Sequence, residues 1–80
     1  MEITVNGADK ALQLAEETRL VLNKATDVAE HGFTKFTFDC PRNRLFNTWE
    51  LVEMVESVSK GTVRHCYNSN GFATFKIKVV

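Results

Sequence analysis

Asp39-Cys40-Pro41-Arg42-Asn43-Arg44 is where this sequence concentrates its possible chemistry. The stretch holds a cysteine, the only proline, and two arginines on either side of an asparagine. Guanidinium forks match phosphate oxygens, so Arg42 and Arg44 can grip an anion. A helix starting just after them would add positive potential from its free N–H groups. Arginines on a surface loop can also pair with carboxylates, here Asp39 or nearby glutamates, and both readings stay open. A reactive thiol needs a cation or helix terminus to lower its pKa, which Arg42 could supply to Cys40. Cys40 also continues the apolar alternation of Phe36 and Phe38, and a small buried hydrophobe accounts for it more simply.

Other candidates are sparser. Cys40, Cys66, His31 and His65 follow no zinc-ligand spacing, so no metal or cofactor is expected. His65 on an apolar face reads as a hydrogen-bonded core or edge histidine. Phe72 follows Gly71 and precedes Lys76 and Lys78. An aromatic among cations on a wet face can stack on a base, or simply pack a turn. Trp49 reads as core or as an interface anchor. The sequence has no Ser/His/Asp pattern, glycine-rich phosphate loop or HExxH, so no enzyme is expected.

The totals set limits. Eighty residues make a single domain, residues 1–80. A chain this short buries only about 60% of its unfolded surface, and a homodimer would add to a thin stability margin. Two cysteines cannot build a disulfide framework. With no membrane-span pattern and no signal-peptide pattern, the expected compartment is the cytoplasm. Ten basic and ten acidic residues cancel. They are unevenly placed: residues 1–40 carry four Lys/Arg and seven Asp/Glu, residues 41–80 six and three. No acid follows Glu56. A neutral chain can therefore still present a basic face.

Those residues need elements to position them. MEITV alternates and predicts a short strand ended by Asn6-Gly7. A helix follows, with Asp9 as N-cap and Gly32 as its left-handed stop, long enough to bend near Asn23. Its expected buried stripe is Ala11, Leu14, Ala15, Thr18, Leu22, Ala25 and Ala29. FTKFTFDC predicts a strand with Phe36, Phe38 and Cys40 on one face. Asn47 and Glu50 have capping-box spacing, and Phe46 and Leu51 hydrophobic-staple spacing. They start a second helix with Leu51, Val52, Val55 and Val58 inward and Gly61 at its end. The last segment predicts a hairpin with a type I turn over Asn68–Gly71 and a bulge at Gly71. That register opposes Asn68 with Phe72 and Arg64 with Lys76. It places His65 and Tyr67 on the apolar face. The predicted fold is α+β, two-layered and βαβαββ, with parallel pairing in a four-stranded mixed sheet and two helices on one face.

The stretch GFTKFTFDCPRNRLFNTWELVEMV, Gly32 to Val55, resembles the Alba-like nucleic-acid-binding proteins. Shared features are the glycine closing the first helix, the strand, and an Arg-x-Arg-aliphatic loop entering the second helix, here Arg42-Asn43-Arg44-Leu45. FATFKIKVV looks like that family's last strand. The resemblance implies three contact regions: the loop after the first strand (Lys10), the loop after the second (Arg42, Arg44), and a basic hairpin (Arg64, Lys76, Lys78). GFATF is also similar to the first motif of RNA-recognition domains, with Thr74 in place of its second aromatic. Cys40-Pro41 is similar to the start of the sulfur-carrier motif, but Asn43 replaces its second proline.

The expectation is a small protein binding RNA or DNA by backbone contacts, with little sequence specificity. Its site is Lys10, Arg42, Arg44, Arg64, Phe72, Lys76 and Lys78, with Trp49 as a dimer or partner seam. The alternative is a protein-binding inhibitor or adaptor acting through its acidic first helix or an exposed sheet edge.

Overall fold

The computed structural model describes residues 2–39 and 46–78, with side chains from Asp9 onward. The described elements are α1 (Glu2–Glu30), β1 (Lys35–Asp39), α2 (Thr48–Val58), β2 (Val63–Ser69) and β3 (Phe72–Ile77). The sheet is three-stranded, ordered β1-β3-β2, and both pairings are antiparallel. This corrects the four-stranded βαβαββ expectation.

The missing strand is MEITV. Glu2–Val5 are the first residues of α1, and Asp9 is an interior helical residue rather than its N-cap. A new strand must find a free sheet edge to satisfy its backbone groups. Extending an existing helix needs no second nucleus and gains one hydrogen bond per residue. The helix absorbs Gly7, at a propensity cost of about 1 kcal/mol. It also runs unbroken through Asn23. Lys24, one residue on, donates from Nζ to the Thr37 carbonyl at 2.8 Å. That contact protects the outer edge of β1, where a further strand would pair.

The buried stripe of α1 is Thr18, Val21 and Ala25, flanked by half-buried Leu14, Leu22 and Val28. The expected alanines at 11, 15 and 29 are exposed. The 3–4 spacing runs through the larger valines, which bury more apolar area than alanine. At the C-terminus, Gly32 has φ +85°. Its N–H donates to Ala29 O and the Phe33 N–H to Val28 O, a Schellman pair.

The α2 start is as expected. The Glu50 N–H donates to Asn47 Oδ1 at 2.9 Å, and the Asn47 N–H to Glu50 Oε1 at 3.1 Å. Phe46, Leu51, Val52 and Val55 are buried, but Val58 is 53% exposed. The last turn closes one residue early, with Lys60 itself left-handed (φ 55°) ahead of Gly61. Ser59 ties this end to β2, because the Val63 N–H donates to Ser59 Oγ.

The hairpin differs from expectation in one detail with large consequences. Its loop is Asn70-Gly71, both at positive φ, the geometry of a two-residue type I′ turn. Ser69, not Asn68, therefore opposes Phe72. The extra residue sits instead at Cys66, where the register shifts between His65 and Tyr67. Either placement leaves Arg64 opposite Lys76, as observed.

β1 and β2 run in the same direction on either side of β3, so β3 separates the strands that α2 connects. Parallel pairing fails because the hairpin's second strand takes the central place. That strand suits the place: Ala73, Thr74 and Phe75 are all buried. The helices pack on the face carrying Phe36 and Phe75, whose rings stack at 5.6 Å.

Candidate functional site

Among the described residues no helix lies on the other sheet face, and strand alternation decides what it shows. Lys35, Lys76 and Arg64 form one row across all three strands. Thr37, Thr74 and Tyr67 form the next, and Asp39, Phe72 and Ser69 the third. Thr74 is the buried floor, while Tyr67 is 58% and Phe72 46% exposed.

The Cys66 bulge puts Tyr67 there. In a regular strand Tyr67 would share the helix side with His65. One extra residue reverses the alternation beyond it. A side-chain bond reports the same reversal: His65 Nε2 lies 2.7 Å from Asn68 Oδ1, so residues three apart meet on the helix side. Glu56 Oε2 accepts the His65 N–H at 3.1 Å and anchors the strand just before the bulge. Cys66 is exposed.

Lys35, Arg64, Lys76 and Lys78, with Thr34 and Ile77, line a shallow groove of about 520 Å³. Arg64 is positioned by an Nε–H bond to the Gly61 carbonyl at 3.2 Å. The ion pairs among the described residues, Lys10–Glu50 and His31–Asp27, lie elsewhere. Like charges directly opposite across a sheet repel. Edge protection would account for Lys35 and Arg64 on the outer strands. It does not account for Lys76 on the central one.

Of the residues singled out by sequence, the structure brings Arg64, Phe72, Lys76 and Lys78 to this side. Lys10 is on the helical layer, where its Nζ is 2.6 Å from Glu50 Oε2. Arg42, Arg44 and Cys40 lie outside the described residues. Trp49 sits on α2, 58% exposed and edge-on to His65 at 5.1 Å. His65 is half-buried and hydrogen-bonded, as its position in the sequence suggests. Sequence reasoning missed Lys35 and Tyr67. The alternation of Lys35 with Phe36 carried a signal for the first; nothing in the pattern marked the bulge that turns the second.

The Lys10–Glu50 contact has a pH signature. The hydrogen bond from Lys10, and then that from the Asn47 N–H, hold the Glu50 carboxyl below its ordinary value of 4.5. A carboxyl lowered by folding contributes stability above its unfolded pKa and loses it as pH falls through the folded one. The thermal midpoint should therefore drop as pH falls below about 4.5. Thermal scans across that range should show a smaller drop for Lys10→Gln.

Among the described residues, no three His, Cys, Asp or Glu side chains converge in a metal-binding group. No described helix is long and apolar enough to cross a membrane. The chain matches no protein-family model, no curated protein and no solved structure.

Proposed function

We propose that the open sheet face binds the sugar–phosphate backbone of nucleic acid, with little sequence specificity. One observation carries this reading: Lys35, Lys76 and Arg64 oppose one another across three strands, with no carboxylate in ion-pair contact among the described residues. Such a row repels itself until an anion joins it. A phosphate backbone supplies anions at regular spacing and releases condensed counterions on binding. Lys78 adds a cation to the same groove, and a neutral chain allows modest affinity. The reading rests on this face and does not need the Alba-like resemblance. Fluorescence anisotropy with labelled RNA and DNA should give log K falling linearly with log salt. Absence of binding at low salt would discard it.

A second reading has its own support. Leu12, Trp49 and Val58 are more than half exposed on the helical layer. Leu22, Met54 and Val58 line a groove between α1 and α2 of about 370 Å³. An inhibitor or adaptor would dock a protein partner there, beside the acidic first helix.

A further inference from the structure

We infer that the ligand of the open face is single-stranded RNA, held with its phosphates on the Lys35–Lys76–Arg64 row and its bases stacked on Tyr67 and Phe72. This rests on the nucleic-acid reading above and narrows it. Phosphate neutralisation explains the cations but leaves two exposed aromatic rings unexplained. Neither ring joins the core, and both stand on the face that carries the cations.

The register supplies the layout. Tyr67 opposes Thr74 and Ser69 opposes Phe72, so Tyr67 and Phe72 are diagonal neighbours. Such neighbours stand about 7–8 Å apart, within reach of each other's side chains. Two bases splayed from one strand can each find a ring there. A duplex hides its base faces within the stack and offers nothing for these rings to cover. Aromatic stacking accepts every base, in keeping with little sequence specificity.

Charge orients the strand. Lys76 and Phe72 stand at opposite ends of the open face, with the Thr74 row between them. Asp39 opposes Phe72. Among the described residues this carboxylate is the charge at that end and the cations gather at the other, so the backbone belongs over the Lys76 and Lys78 end and the bases over the Phe72 end. Between them lie the exposed residues Thr37 and Tyr67, both carrying hydroxyl groups, where the sugars would pass. Hydroxyls at that level can bond a ribose 2′-OH, which favours RNA over DNA.

The test is anisotropy with labelled oligouridine, oligothymidine deoxynucleotide and an RNA duplex of equal length. Wild type, Tyr67→Ala, Phe72→Ala and Tyr67→Phe are compared, with urea midpoints to confirm folding. Each alanine variant should lose roughly 5- to 100-fold in oligouridine affinity, with duplex affinity and salt slope unchanged. Tyr67→Phe should keep most of the stacking and bind within a few-fold of wild type. Folded alanine variants that bind oligouridine like wild type would overturn the stacking while leaving the phosphate reading intact. Equal affinity for the deoxynucleotide would overturn the assignment to RNA. No binding of any probe at low salt would remove both readings.

Discussion

Replacing the cation row, as Lys35→Gln/Arg64→Gln/Lys76→Gln, should weaken nucleic-acid binding by about 100-fold at low salt and leave the protein folded. Each phosphate contact to a single strand contributes about −0.7 to the slope of log K against log salt, so losing three should flatten it by about 2. The same triple variant removes two cross-strand repulsions, Lys35 against Lys76 and Arg64 against Lys76. Like-charged pairs of this kind each destabilise a sheet by a few tenths of a kcal/mol up to about 1. The urea midpoint should therefore hold or rise while binding falls. If the row existed only to keep the sheet soluble, affinity for nucleic acid would not change. Trp49→Ala should leave this binding intact, because Trp49 lies on the other layer with His65.

Phe75→Ala should be the most damaging single core change. Phe75 is fully buried on the central strand. It stacks on Phe36 at 5.6 Å and meets His65 edge-on at 5.9 Å. His65 in turn meets Trp49, so one ring links β1, β2 and α2. Truncating a buried phenylalanine costs about 3–5 kcal/mol in lost transfer energy and cavity. Whole domains have about 5–15 kcal/mol in hand, and one this small sits toward the lower end. Urea denaturation followed by circular dichroism should show Phe75→Ala largely unfolded, or with its midpoint sharply reduced. Phe72→Ala, three residues away but on the open face, should shift the midpoint far less. Equal losses at the two positions would mean that the open face is packed in solution.

Much of this was legible in the sequence, for local reasons. Asn47 and Glu50 announced the start of α2 because a capping box is encoded within four residues. Gly32 announced the end of α1 because a left-handed residue there favours glycine. The alternation in Lys35–Asp39 gave the two faces of β1. The failures are where a local pattern depends on a distant partner. MEITV alternates like a strand, but no described strand pairs with Glu2–Val5, and the α1 helix runs through them instead. The position of β3 between β1 and β2 is a tertiary choice that no window reveals. The hairpin is the subtler case. One surplus residue between Arg64 and Lys76 had to be absorbed somewhere. The sequence is compatible with a bulge at Gly71 or at Cys66, and only the second turns Tyr67 to the open face. The resemblance places Lys10 in a loop, whereas it lies within α1 and pairs with Glu50, a contact between distant segments that no local pattern encodes. The arginines that first drew attention, Arg42 and Arg44, fall outside the described residues, and the site stands on the sheet without them.

The most direct measurement is an amide chemical-shift map of isotopically labelled protein titrated with oligouridine at low salt. The perturbed amides should cluster on Lys35, Thr37, Arg64, Tyr67, Phe72, Thr74 and Lys76, with those of Lys10, Trp49 and Met54 unmoved. Perturbations concentrated on α1 and α2, with the sheet residues silent, would contradict it.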